Sequence, residues 1–434
     1  MMRSLYSGVS GLRSHQTKMD VIGNNISNVN TVGYKKATTT FSDAFNQTMR
    51  GASMANDNTG RGGLNSMQIG LGSSVAAVQN VMTRGSSQRT DNTTDVMING
   101  NGFFVVRDVT GYYFTRAGAF SVDENGNLVD TNGLKVCGWN AVDDQDNPGQ
   151  QKIVQTVVTP VNIYEGEKSY VPPAVTTTIN FTGNLNSVDN PEQINTLSFY
   201  DSIGNRFTVE VRLTYQGDNQ WQFDFARSSD GNVIASINGD VKNTVALNIN
   251  GDSPTIQFEN GILSQNSTRA IELSITHPDD PNVKFADTIT VNFKDLTQFN
   301  AKNDATATTV DGYTAGSISG FSIGSDGIIT GSYTNGLTKI LGEIVIADFV
   351  NPAGLQKIGD NLFATTVNSG DFDGIGQEVG VNGANFISGS LEMSNVDLAY
   401  EFTEMITTQR GFQTNSRIIT TSDEMLQELV NLKR

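Results

Sequence analysis

The sequence predicts a multidomain α+β chain: a coiled-coil pair of terminal helices and, inserted between them, two nested, mainly antiparallel β domains of barrel or sandwich type. Three observations predict it. Leu5, Val9, Leu12, Gln16, Met19, Ile22, Ile26 and Val29 recur at steps of three and four near the start. Leu398, Phe402, Met405, Gln409, Phe412, Ser416, Ile419, Asp423, Leu426 and Val430 do the same near the end, with the roughly 3.5-residue period of a coiled-coil seam. Between them the period switches to two: Phe207, Val209, Val211, Leu213 and Tyr215 alternate with Thr208, Glu210, Arg212 and Thr214, as in a strand with one buried face.

A helix with one apolar stripe cannot bury it alone. The simplest arrangement packs the two terminal helices, 1–30 and 391–434, on each other; an ordinary pair of buried helices in a globular core has the same spacing. Ser394 followed by Asp397 reads as a capping-box-like start, and Lys433 and Arg434 put positive charge at the negative end of the last helix dipole. The first helix should stop within Asn28–Gly33, where Asn, Thr and Gly cluster. It is intrinsically weak, because Gly8, Gly11 and Gly23 each cost about 1 kcal/mol relative to Ala.

Residues 31–90, rich in Gly, Ser, Asn and Thr, read as an extended connector with room for a short hairpin, rejoined by 383–390. From about Asp95 strands begin: NGNGFFVV (Asn99–Val106) and YFTRAGAF (Tyr113–Phe120) open an inner β domain, 91–162 and 312–382. The outer β domain, 163–311, has the clearest alternation. There the turn Gln216–Gln220 leads into Trp221, Phe223 and Phe225, making a hairpin, and Ile256–Phe258, Ile271–Ile275 and Ile289–Phe293 continue it. Nesting brings the two ends of each inserted domain together.

The net charge of −17 over 434 residues disfavours nucleic acid and anionic membrane surfaces. No run approaches the roughly 18 apolar residues of a membrane span. Ser4, Ser7, Gly8 and Ser10 interrupt the apolar core a secretory signal needs, which reads as a cytoplasmic chain or one exported without a cleaved signal. The single cysteine, Cys137, forms no disulfide within the chain and reads as a core residue. His15 and His277 are far apart, and no nucleophile elbow, phosphate loop or metal-ligand spacing occurs. Asp371–Gly374 and Asp143–Asp146 lack the closing Glu of a calcium loop and read as acidic turns. No catalytic residue, cofactor or metal is expected.

LYSGVSGL with GNNISNVNTVGYKK, and GSLEMSNVDLAYEFTEMITTQRGFQTNSR (Gly389–Arg417), resemble the N- and C-terminal motifs of the bacterial flagellar rod and hook family. NGNGFFVV and YFTRAGAF resemble its shared β domain. LSFYDSIGNRF, VDGYTAGSISGFSI and FVNPAGLQKIGDNLFATTVNSG extend the likeness through the middle, and a middle domain is what the much shorter distal rod protein lacks. The resemblance implies a structural subunit, not an enzyme. Many copies would stack helically into a short, curved tube that carries torque from motor to filament. It also implies the distal rod protein, the hook cap protein, the hook–filament junction protein and the flagellar type III export apparatus as partners. Spirochaete members carry a cysteine before an Asn-Leu pair, used for a lysine cross-link between subunits; here Gly183 stands before Asn184-Leu185, so no such cross-link is expected.

The polymerisation seam is then assigned to Leu5, Val9, Leu12, Met19, Ile22, Ile26, Leu398, Phe402, Met405, Phe412, Ile419, Leu426 and Val430. Beside it, Ser4, Ser7, Gly8, Gly11 and Ser14 form a small-residue stripe. Either a neighbouring subunit's helix approaches closely at Gly8 and Gly11, or these residues only lower helix propensity. Two further readings stay open: a rod protein with an insertion, and a secreted β-rich binding protein or adhesin.

Overall fold

A computed structural model describes residues 2–54, 62–143, 151–188, 192–225, 233–237, 240–249, 254–264, 267–276, 286, 288–309, 311–381 and 383–432. His277, Asp144–Asp146, Lys433 and Arg434, weighed above, lie outside them. The chain divides into two compact units: Met1–Tyr164 with Phe321–Thr330 and Lys339–Arg434, and Glu165–Gly320 with Gly331–Thr338.

The first unit holds both long helices, α1 (Met2–Ser27) and α2 (Leu398–Leu432). α1 stops just before the Asn-rich cluster. α2 starts one turn later than the Ser394 reading implied: its cap is Asp397, whose Oδ1 accepts from the amides of Ala399 (2.9 Å) and Tyr400 (3.3 Å). Between the helices, Ala37–Asp43 pairs antiparallel with Ser73–Asn80, and Asn46–Arg50 with Met67–Gly70. A bridge between Ser53 and Leu64 extends this ribbon, so the connector holds a longer hairpin than expected. Another correction concerns 383–390: Asn385–Ser388 pairs with Val96–Asn99 and buries Phe386. Alternation at Phe386 gave this strand an inward face, so it is part of a β core and not a loose connector.

The core of the first unit gathers Phe103, Val105, Phe114, Trp139, Val345, Phe349 and Phe363 from segments far apart in sequence. Cys137 is buried among them, and desolvation pushes its thiol up to about 12, so it stays protonated and unreactive. Trp139 donates its indole N–H to the carbonyls of Thr156 (2.8 Å) and Ile375 (3.1 Å). The Asp371–Gly374 stretch is a turn, with Asp373 Oδ1 accepting from the Ile375 and Gly376 amides.

The second unit is a nearly closed barrel. Ile262–Leu263, Thr255–Glu259, Gln220–Phe225, Arg206–Gly217, Val233–Ile237, Asp240–Ile249, Ala270–Thr276 and Ile289–Thr297 follow one another across it, and Ile262 pairs back to Thr297. Phe207, Val209, Val211, Leu213, Trp221 and Phe223 all point into its core, as the period of two requires. The turn between Arg206–Gly217 and Gln220–Phe225 is tight because Asp218 (φ 51°) and Asn219 (φ 57°) adopt left-handed backbone, which Asp and Asn tolerate. Thr178–Asn184 lies parallel to Ile289–Thr297.

Candidate assembly interface

α1 and α2 run antiparallel, with Ser4 beside Ser422 (Oγ–Oγ 3.4 Å), Lys18 bound to Glu404 (2.5 Å) and Asn25 to Glu401 (3.2 Å). Close contact is possible because glycines on each helix face larger side chains on the other. A Cβ at Gly8 would stand 3.2 Å from Ile419 Cγ1, and one at Gly11 would stand 2.7 Å from Asn415 Nδ2. A Cβ at Gly411 would stand 2.7 Å from Cε1 of His15. Within the chain, the helix that closes on Gly8 and Gly11 is α2; a neighbouring subunit's helix was one of the two readings of this stripe.

This contact turns the apolar stripes aside. The α2 positions buried deepest are Glu401, Thr408 and Ser422, and on α1 they are Gly8, Gly11, Ser14, Ile22 and Asn25. Of the seam residues, Ile22 is buried. Leu5, Leu12, Met19, Ile26, Met405, Phe412, Ile419 and Leu426 are half-buried flanks. Val9, Leu398, Phe402 and Val430 are exposed, the last by 67%. Ile406, Met425 and Leu429 lie exposed too. Val9 also lines a groove of about 370 Å³ with Tyr6, Arg13, Ser73 and Val75. Two helices in one chain thus satisfy one face each and leave apolar ridges uncovered.

Polar residues that the period analysis passed over hold the base of the helix pair. Asn25 donates from Nδ2 to the Ala37 carbonyl (2.8 Å) and accepts at Oδ1 from the Ala37 amide (3.0 Å) and the Tyr34 hydroxyl (3.3 Å). Lys36 sits 3.5 Å from Glu401, and its amide donates to Asn395 Oδ1 (2.8 Å). Deeper still, Lys35 Nζ lies 2.7 Å from Glu392 Oε1 and Arg116 Nη1 3.3 Å from Glu392 Oε2, with all three side chains at 4% exposure or less. Burial lowers the pKa of both cations, and Glu392 pulls each back toward the charged form. Gly33 (φ 70°) approaches so closely that a Cβ would stand 2.6 Å from the Ala117 amide nitrogen, and its own N–H donates to the Glu392 carbonyl (2.7 Å).

Four family descriptions match successive parts of the chain. "Flagella basal body rod protein" covers 5–35 and "Flagellar hook protein FlgE/F/G D1 domain" covers 97–186. "Flagellar basal body protein FlaE D2 domain" covers 184–313, and "Flagellar basal body rod FlgEFG protein C-terminal" covers 387–432. The chain is 40% identical over 464 residues to the flagellar hook protein FlgE of Borreliella burgdorferi, covering all of both chains. The chain belongs to the flagellar hook protein family. Treponema pallidum has a hook protein FlgE that is 35% identical, and Bacillus subtilis a flagellar basal-body rod protein FlgG that is 32% identical, each match again spanning both chains in full. A crystal structure of the Helicobacter pylori flagellar hook protein FlgE2 aligns with 70% of this chain and all of its own, at 14% identity and a TM-score of 0.36, too low to carry an argument.

The matched regions at the two ends, 5–35 and 387–432, hold Asn25 and Lys35 on one side and their partners Glu401 and Glu392 on the other. These are the groups that bond the two ends together. Sequence spacing could find the stripes, but a lone buried Asn or Lys has no period to betray it.

Proposed function

We propose that the chain is the structural subunit of the flagellar hook, assembling with copies of itself into a curved helical tube that acts as a universal joint between rod and filament. The end-to-end match at 40% identity to a protein named flagellar hook protein carries this reading. The family is structural, and a catalytic role for this chain forms no part of the proposal. The exposed apolar side chains of α1 and α2 support self-association: a head-to-tail contact that does not close generates an open helical filament. In this reading residues 1–30 and 391–434 line the tube, 31–90 connects, 91–162 and 312–382 form the inner β domain, and 163–311 faces outward. Val9, Leu398, Phe402 and Val430, with their half-buried neighbours on the seam, meet adjacent copies. The distal rod, hook cap and hook–filament junction proteins, and the type III export apparatus, are the further partners.

Gly183 has φ 114°, and a Cβ there would stand 2.6 Å from the Asp304 carbonyl oxygen, so the backbone is shaped for glycine and no cysteine cross-link forms at this position. Purified hooks run as monomer in SDS in this reading; a ladder of resistant multimers contradicts it.

The test places an epitope at the exposed Asp218 turn and locates it with immunogold on intact flagella. Gold along the curved segment between basal body and filament is the expected result. Gold on the straight rod selects the rod reading, which the relative named as a rod protein keeps in play. Motile cells without flagellar label overturn both.

A further inference from the structure

Lys35 and Arg116 are buried cations, and the carboxylate in contact with both belongs to Glu392, 276 residues beyond Arg116. Asp348 also attracts Arg116 and Arg84 repels it. Glu392 closes more than this pair. Its Oε1 accepts from the Gly85 amide (2.9 Å) and its backbone carbonyl from the Gly33 amide (2.7 Å). Lys35 also donates to the Thr83 carbonyl (2.8 Å) and Arg116 Nη2 to that of Gly100 (2.9 Å). Ser390–Glu392 at the same time pairs with Ser87–Arg89. Every group that Glu392 seals precedes it by a long stretch of chain.

Without Glu392 the same pocket would bury Lys35 and Arg116 without the carboxylate they share, and breaking a buried ion pair by removing one partner is strongly unfavourable. We propose that Glu392 is a completion latch: the base of the first unit, where 33–36, 83–85 and Arg116 meet, stays open until the 385–392 segment arrives. A chain that has emerged only in part cannot close this body, which keeps it extended. The benefit to an exported subunit rests on the function proposed above; the latch itself is a property of the single chain.

Refolding of the full chain, followed by pulse labelling with an amine-reactive ester and by hydrogen exchange, tests it. Lys35 should become protected with the same time course as the amides of 385–388. Protection of Lys35 ten times faster than those amides overturns the latch. In folded Glu392→Gln, labelling of Lys35 should accelerate about 100-fold while the 206–225 hairpin keeps its protection; an unchanged rate overturns the proposal. Should that variant fail to fold its first unit, the triple replacement Lys35→Met, Arg116→Met, Glu392→Met separates charge from shape. The latch expects the triple variant to fold, and a triple variant as open as Glu392→Gln overturns it. None of these readouts requires assembly, so failure to form hooks with a working latch counts only against the functional reading.

Discussion

Glu343 sits in the Thr338–Ile344 strand opposite Trp139, buried, with Oε1 lacking a hydrogen-bond partner. Desolvation first, then the negative charges of Glu378 and Asp326, push its carboxyl from 4.5 up to about 7. The folded state therefore binds this proton more tightly than the unfolded state. Its contribution to stability is full below about pH 4.5, falls as pH rises toward 7 and stays lost above. A rise from 4.5 to about 7 makes this loss about 3 kcal/mol. Glu343→Gln should raise the melting temperature of the first unit by about 5 °C at pH 8 and leave it nearly unchanged at pH 4; equal melting at pH 8 means the carboxylate is solvated. Nothing in Lys339–Ala347 announces this, because burial on both sides of a strand is decided by partners distant in sequence. The small-residue stripe was legible, but its partner was not. At Gly11 the group in the way of a Cβ is the end of the Asn415 side chain, which can swing aside. Gly11→Ala should thus assemble into hooks, helped by about 1 kcal/mol of helix propensity, while Gly11→Leu should not. Electron microscopy of hooks from the two strains distinguishes them, and normal assembly of both excludes close packing.

At the scale of elements, both helices and the Phe207–Phe225 hairpin could be read from period alone, since 3.6 and 2 are local signals. What ties α1 to the connector was not legible. Asn25, in a run that reads as a helix end, is buried and uses its side-chain amide as a substitute peptide for Ala37. Leaving the Ala37 amide and carbonyl without these partners costs about 2–3 kcal/mol. Asn25→Ala should therefore speed amide exchange at Ala37 by about 30–100-fold. Asn25→Asp should be worse, since it cannot donate and places a second carboxylate beside Glu401. If Asn25→Asp exchanges like wild type, the amide is not the link. The strand at Asn385–Ser388 was misread as connector for a related reason: Gly383 and Gly389 flank it and mask a short alternation.

The whole molecule has an imbalance that assembly would correct. Phe402 with Ile406, and Met425 with Leu429, stand four residues apart on α2 and are all about half exposed or more. Each pair is too regular for scattered surface residues, and Glu401, Asn415, Ile419 and Ser422 already occupy the face of α2 that its own partner helix covers. If the exposed ridge serves only stability, replacing it with polar groups should weaken the folded chain. If it serves contacts between copies, such replacement should leave the free chain within about 0.5 kcal/mol of wild type, as exposed sites usually do, and stop polymer growth. Phe402→Ser with Ile406→Ser is the sharper pair, because Glu401 and Glu404 beside it anchor α2 to Lys36 and Lys18 and hold the helix in place. The expected outcome is an unchanged melting curve for the purified chain together with flagella lacking hooks. A lowered melting temperature with normal hooks would move the copy-to-copy contact off this ridge, leaving the Tyr6–Val9–Arg13 groove on α1 as the next surface to replace.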